Sequence, residues 1–331
     1  MAPRYSKDSK ASELVQEFAD NIKGKVILVT GTSPGGLGAL YCTAIAKASP
    51  SLIILTGRTA AAIQKTADEI KVVNSDVKTQ LLIFDLASFQ SVRKAAGEVN
   101  SWKDVPHIDL LVNNAGIMAV PYGTTEDGFE RQFGTNHLGH FLFTNLIMDK
   151  ILASKTPRIV VVSSVAHRTN PIRWADYNWS DGKTYQRWMA YGQSKTANIL
   201  MAISLAQKLQ RKGLQAFSLH PGIFLTNLSR DLDFNAPDGG MSDLTAAETF
   251  MGTKYMHPEN AYLVDSEEQV IATHVFCSFS DDIQGHNGKY FHECHVADEA
   301  NEEVYSWATS AIYADKLWTL SEKLVGQEFK Y

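Results

Sequence analysis

Residues 26–38 read Val-Ile-Leu-Val-Thr-Gly-Thr-Ser-Pro-Gly-Gly-Leu-Gly, and this stretch decides the fold. Val26 to Val29 is apolar at successive positions, so an extended chain here is apolar on both faces. Such a strand suits a parallel sheet covered by helices on both sides. The run ends in glycines, and a helix opens behind them. Similar apolar runs recur at 52–55, 81–84, 108–112, 159–162 and 216–219. Helix-like stretches lie between them, at 60–73, 89–99, 129–152 and 191–212. Alternating strand and helix predicts a Rossmann-type doubly wound parallel α/β sheet.

No Gly/Ser-rich linker, repeat or low-complexity tract divides the chain. The expectation is one domain over residues 24–331, preceded by an N-terminal extension at 1–23 that carries a short amphipathic helix over 12–22. Two polar, aromatic or weakly periodic excursions, 168–189 and 224–264, break the strand–helix rhythm. Long excursions in a compact domain are often lids or binding loops.

Of 331 residues, 31 are Lys or Arg against 36 Asp or Glu, for a net charge of -5. This balance leaves no basic footprint for nucleic acid. The three cysteines, Cys42, Cys277 and Cys294, are too few and scattered for a disulfide framework and suit a reducing compartment. Residues 1–24 are charged and lack the apolar run of a signal peptide or membrane helix. The expectation is a cytoplasmic protein without a membrane anchor.

The glycine turn between a strand and a helix lets the backbone approach a pyrophosphate, and the helix N-terminus supplies N–H groups and a favourable dipole. Taken alone it is also compatible with a plain turn. The second strand leads into Thr56-Gly57-Arg58. An acidic residue there would hold a ribose 2′-hydroxyl, whereas an arginine accommodates a 2′-phosphate. Arg58 therefore points to NADP, with a solvated surface arginine as the alternative. Asp85 could meet an adenine ring or cap a helix. Asn113-Asn114-Ala115-Gly116 suits a tight turn beside a flat ligand.

Tyr191 and Lys195 are four apart, on one face of a helix. An unperturbed tyrosine titrates near pH ~10, and a neighbouring ammonium favours the phenolate. The spacing suits a tyrosine acid/base, although a surface Tyr–Lys pair looks the same. Ser164 closes the fifth strand, at the sheet edge where ligands bind. It could polarise a substrate oxygen or cap a turn. Asn136 is a polar residue in an apolar helix and reads as a packing amide or a relay member. His292-Glu293-Cys294-His295 has metal-like residues, but it follows a strand end and has no partner cluster in the sequence. No metal is expected. Cys42 reads as core.

Taken in order, Thr30–Gly38, Asn113–Gly116, Asn136, Ser164, Tyr191/Lys195 and Pro221-Gly222 with Thr226 resemble the short-chain dehydrogenase/reductase family. Val162-Ser-Ser-Val-Ala-His167, Asn136-His-Leu-Gly-His-Phe141, Ala190-Tyr-Gly-Gln-Ser-Lys195 and Gly288-Lys-Tyr-Phe291 are similar to its retinol-dehydrogenase-like branch. The resemblance covers roughly residues 24–325.

The resemblance implies an NADP(H)-dependent oxidoreductase that interconverts a carbonyl and an alcohol. The implied catalytic set is Asn136, Ser164, Tyr191 and Lys195. Ser164 polarises the substrate oxygen, Tyr191 moves the proton, and Lys195 lowers the tyrosine pKa and holds the nicotinamide ribose. Asn136 organises a water relay. Ser163 is the rival serine, but strand alternation turns it to the other face.

The implied cofactor contacts are Gly31, Ser33, Gly35, Gly36, Leu37, Arg58, Asp85, Leu86, Asn113, Ala115, Gly116, Tyr191, Lys195, Pro221, Gly222 and Thr226. Trp174, Trp188 and Phe224 are candidate walls of a largely apolar pocket for a small substrate. A homodimer is left open. The glycine loop is one residue longer than the family's usual form, which leaves the role of Gly35 undefined. The missing N-terminal anchor argues against a retinoid substrate. Alternative readings keep the fold as a silent NADP-binding regulator or scaffold, or as an epimerase or dehydratase.

Overall fold

A computed structural model describes residues 4–331 except 225, 230–231, 234–235, 237–239 and 254–263. Its centre is an eight-stranded sheet: β1 (Val26–Val29), β2 (Leu52–Gly57), β3 (Lys78–Ile83), β4 (Leu110–Asn113), β5 (Arg158–Val162), β6 (Gln215–Leu219), β7 (Tyr290–His292) and β8 (His295–Val296). The order is β3-β2-β1-β4-β5-β6-β7-β8, with β1 to β7 parallel and β8 antiparallel to β7.

The uninterrupted apolar runs are explained by burial on both faces. In β1, Val26 and Leu28 pack into one core layer, while Ile27 and Val29 pack into the other. β5 repeats the division, with Ile159 and Val161 on one side and Val160 and Val162 on the other. The first layer is closed by helices Phe89–Ser101 and Arg187–Leu209 through Val92, Val99, Leu200 and Leu205. Helices Leu37–Ala46 and Ala272–Phe279 close the second through Ile45 and Phe276. Each such fully buried aliphatic side chain contributes about 1.5–3 kcal/mol.

The N-terminal segment belongs to this second layer. The expected helix over 12–22 is two helices, Ala11–Glu17 and Ala19–Ile22. Their Leu14, Val15 and Ile22 are buried against the core. The helix expected over 129–152 is also divided: a π-turn at Gly134–Leu138 and a break at Ile147 interrupt it. The three cysteines are free and buried, and burial pushes the Cys42 thiol well up, so it is core. No helix of the described residues is long and apolar enough to cross a membrane.

Strand order reverses between β1 and β4. In open α/β sheets that switch opens a crevice at the carboxyl ends of the strands. The loops after β1, β4, β5 and β6, where the sequence places its motifs, all leave the sheet at this edge.

Candidate active site

Glycine lets the loop after β1 press against the turn after β4. Gly31 has φ +73°, and a Cβ there would stand 2.8 Å from Ala115 Cα. A Cβ on Gly38 would overlap the Gly31 carbonyl and lie 2.6 Å from Asn114 Nδ2. Helix Leu37–Ala46 thus starts hard against the sheet. Its N-cap, Gly36, offers no side-chain cap, and the Ala39 and Leu40 N–H groups donate to the Gly36 carbonyl, so among the described residues the Leu37 and Gly38 N–H groups remain for a ligand.

The extra loop residue makes room for a contact with the chain after β6. Gly35 has φ +75°, and a Cβ on it would lie 2.8 Å from Asn227 Nδ2. That amide donates to the Pro34 carbonyl at 2.5 Å, and Asn227 N–H donates to the Gly35 carbonyl at 3.3 Å. Gly35 lets the chain after β6 close on the glycine loop. Nearby Thr226 caps its own turn, its Oγ1 accepting from Leu228 N–H at 3.2 Å. Pro221 and Gly222, the latter with φ +101°, make the turn at the end of β6.

Arg58 is exposed at the end of β2 and has no hydrogen bond or ion pair among the described residues. Ser33 reaches the same corner: its Oγ is 3.7 Å from where a Cβ on Gly57 would stand. Other expected contacts are partly committed elsewhere. Asn113 turns into the core and donates to Thr144 Oγ1 at 2.8 Å, so its amide does not face the crevice. Asp85 caps the Ala87 N–H at 2.9 Å. Leu86 is buried, with its carbonyl oxygen against Gly139.

A buried network ties the loops together. Thr30 Oγ1 accepts from the N–H groups of Asn114 at 2.8 Å and Ala115 at 2.9 Å. It also lies 2.9 Å from His140 Nε2. His140 Nδ1 lies 2.9 Å from the Asn136 carbonyl, which can only accept, so Nδ1 carries the proton and Nε2 accepts from Thr30. Burial pushes the His140 pKa down to about 4, which keeps this neutral tautomer. The sequence alone assigns no role to the Thr30 hydroxyl or the His140 ring. The signal was the four-residue step from Asn136 to His140, one helical turn.

Asn136 sits in the π-turn, a form often found at functional sites. Its Oδ1 accepts from Ile117 N–H and its Nδ2 donates to Ile117 O, both at 2.9 Å. Nδ2 also donates to Ser194 Oγ at 2.9 Å. The side chain is thus a clamp on the segment after β4, with both of its N–H donors used and one lone pair left on Oδ1.

Tyr191 and Lys195 lie one turn apart on the buried face of helix Arg187–Leu209, each only 3 % exposed. Lys195 Nζ is 5.5 Å from the Tyr191 ring centre. The ammonium donates to Val162 O at 3.2 Å, and its other two N–H bonds meet no acceptor among the described residues. Burial lowers its pKa to about 8. Gly116 leaves the amine uncovered, because a Cβ there would lie 3.5 Å from Nζ and 3.3 Å from Asn136 Oδ1. This cradle and the uncapped helix fit a nicotinamide dinucleotide, whose ribose hydroxyls could accept from Lys195.

The two serines are separated as strand alternation requires. Ser163 Oγ donates to the Lys195 carbonyl at 2.7 Å and so anchors the helix. Ser164 Oγ accepts from Ala166 N–H at 3.1 Å, which leaves its hydroxyl hydrogen for a substrate oxygen.

Of the three aromatic candidates, Trp188 joins the apolar cluster that contains Tyr191, with Met118, Val165, Ile223 and Leu244. Its Nε1 donates to Gly240 O at 3.2 Å. Trp174 does not join it: the ring packs on Tyr313, 5.6 Å between centres, beneath Lys316. Phe224 packs on the second core layer, and its neighbour Ile223 takes the place expected of it. Trp179 and Tyr185 stack edge to face as packing inside the insert. Parts of the second excursion, including residues 254–263, lie outside the described residues.

Residues 25–236 match the family model described as short chain dehydrogenase. The chain is 35 % identical to human retinol dehydrogenase 13 over 313 residues, covering 93 % of this chain and 86 % of that protein. It is 34 % identical over 307 residues to the short-chain dehydrogenase TIC 32 B, chloroplastic, of Brassica napus, covering 90 % and 88 %. An uncharacterised protein from Mycobacterium paratuberculosis superposes with a TM-score of 0.67 at 30 % identity, over 95 % of this chain and 98 % of that one. An NADPH-complexed putative short chain dehydrogenase of Escherichia coli CFT073 shares the fold, at a TM-score of 0.58 and 20 % identity, over 83 % and 98 %. With its ordered motifs converging at one sheet edge, the chain belongs to the short-chain dehydrogenase/reductase family, in the retinol-dehydrogenase-like branch.

Proposed function

We propose that the protein is an NADP(H)-dependent oxidoreductase acting on a small, largely apolar carbonyl or alcohol. The family supports carbonyl–alcohol redox chemistry. What carries the reading is the buried Lys195 ammonium, one turn from Tyr191, with two N–H bonds free among the described residues beside the Gly116 cradle.

The cofactor supplies or accepts the hydride when bound. The chain must then manage a proton, because hydride reaching a carbonyl carbon leaves an alkoxide. Tyr191 gives the proton to that oxygen in reduction and takes it in oxidation. Ser164 donates its hydroxyl hydrogen to the same oxygen as charge develops. Lys195 favours the tyrosinate electrostatically and holds the ribose. Trp188, Met118, Ile223 and Leu244 line the apolar side of Tyr191 and suit a hydrocarbon-rich substrate. Arg58, exposed and unpaired among the described residues, supports selection of a 2′-phosphate.

The test follows nicotinamide absorbance with a panel of aldehydes, ketones and alcohols, retinal and retinol included. The wild type should turn over with NADPH. Tyr191→Phe keeps the ring packing and should bind NADPH normally while losing about 10²–10⁴-fold in rate. Near wild-type turnover by Tyr191→Phe would overturn the mechanism.

A further inference from the structure

The β7–β8 hairpin carries side chains that take no part in the site above. His292 and His295 are direct partners across the antiparallel ladder. Direct partners project from one face of a ribbon with Cβ atoms about 4.5–5.5 Å apart. Here the two imidazole centres are 5.2 Å apart. The turn between them, Glu293 and Cys294, has φ +47° and +61°. Such two-residue turns normally use Asn and Gly, and other L-residues are strained there by about 1–2 kcal/mol each. The strain is held in place: Cys294 is buried, and its N–H donates to Thr273 Oγ1 at 3.3 Å. Strain of this kind persists where the surroundings over-determine it, and it clusters at functional positions.

The sequence shows no partner for these histidines, but the fold supplies one. Glu303 returns from the loop beyond β8, with Oε2 at 3.1 Å from His295 Nε2. The Asp298 N–H donates to the same oxygen at 2.8 Å and orients the carboxylate. Ligand atoms of His292, His295 and Glu303 all lie within 4.8 Å of one another. Glu293 Oε1 stands 3.7 Å from His292 Nε2. His292 is buried, whereas His295 and Glu303 are half-buried and open a path from solvent.

We propose that His292, His295 and Glu303 bind one divalent transition ion of the zinc class. Two imidazoles and one carboxylate suit zinc or cobalt rather than calcium or magnesium, which require shells of oxygen. Tetrahedral ligands about 2.0–2.2 Å from an ion are about 3.4 Å apart, so His295 and Glu303 are already spaced to bind. With all three ligand atoms within 4.8 Å of one another, closure by at most about 1.4 Å brings His292 in. The ion would sit behind the Pro221–Gly222 turn, since the His220 and His292 ring centres are 6.1 Å apart. It would tie the sheet edge to the segment leading into helix Ala311–Val325. This is a structural site, distinct from Tyr191 and Lys195.

The experiment uses the full chain, stripped by chelator, with ZnCl₂ and CoCl₂ as probes. About one zinc per chain should be retained after gel filtration. Cobalt should develop visible bands of tetrahedral intensity, and the melting temperature should rise with zinc concentration. His295→Gln and Glu303→Gln, both at half-buried positions, should each weaken zinc binding by at least about 100-fold. His286→Gln, at an exposed histidine outside the cluster, should leave it unchanged. The readout is binding, so it is independent of whether any substrate is turned over. Absence of zinc at micromolar concentration, or binding that survives both His295→Gln and Glu303→Gln, would overturn the proposal.

Discussion

Lys195→Met should make the ligand-free protein more stable and catalytically poor. Lys195 is nine-tenths or more buried, and desolvation lowers its pKa from 10.5 to about 8. At about 1.4 kcal/mol for each tenfold change in proton affinity, charging this amine in the folded state costs about 3 kcal/mol near pH 7. A folded pKa below the unfolded one means that stability is highest above pH 10.5 and is lost as pH falls through 8. Methionine fills similar space without the charge. It loses the bond to Val162 O, worth about 1 kcal/mol, but that carbonyl keeps Asn198 Nδ2 at 3.1 Å. The net gain at pH 7 is then about 2 kcal/mol. With about 2.1 cal/mol/K of unfolding entropy per residue, this raises the melting temperature by about 3 °C. The assay is thermal unfolding of wild type and variant at one scan rate from pH 7 to 10.5, with and without NADPH. The gain should shrink above pH 8, vanish near pH ~10, become a small loss above that, and reverse when NADPH stabilises the wild type preferentially. A variant less stable at pH 7, or a gain independent of pH, would refute the account of a strained buried ammonium.

Arg58→Ala should lower the kcat/KM ratio of NADPH over NADH by about tenfold, since a charge-assisted phosphate contact is worth about 1.5–3 kcal/mol; an unchanged ratio removes Arg58 from cofactor selection. Gly35→Ala should weaken NADPH binding by about tenfold, because alanine is strained at φ +75° by about 1–2 kcal/mol and meets Asn227. Gly97→Ala is the control: it lies in helix Phe89–Ser101 with nothing within 4 Å, and should add up to about 1 kcal/mol of stability. His140→Leu should cost about 1–3 kcal/mol in stability and raise KM for NADPH more than it lowers kcat, because Thr30 loses its close acceptor and keeps only Val112 O at 3.4 Å. Equal losses in both kinetic constants would assign His140 a role other than holding the loops.

Much of the architecture was legible because it is local. Apolar runs such as 26–29 and 159–162 must be buried on both faces, and their alternation with helical stretches admits few folds. Glycines at the end of β1, the Tyr191–Lys195 step and the alternation of Ser163 with Ser164 are likewise set by neighbours in the chain. Ser163 and Ser164 must face opposite ways whatever their contacts, since a strand turns successive side chains to opposite faces.

Contacts between distant segments were decided by the tertiary structure. Nothing local says that Asn136 clamps Ile117, that Thr30 meets His140, or that Gly35 makes room for Asn227. Trp174 and Trp188 look alike as aromatics of one insert, yet the fold turns one to the C-terminal helix and the other to Tyr191. Asn113 and Asn114 are adjacent, and strand pleating sends the first into the core. Glu303 reaches His295 only because the chain beyond β8 folds back. A side chain's type and spacing are properties of the sequence, whereas its partner depends on which surfaces the sheet and helices bring together.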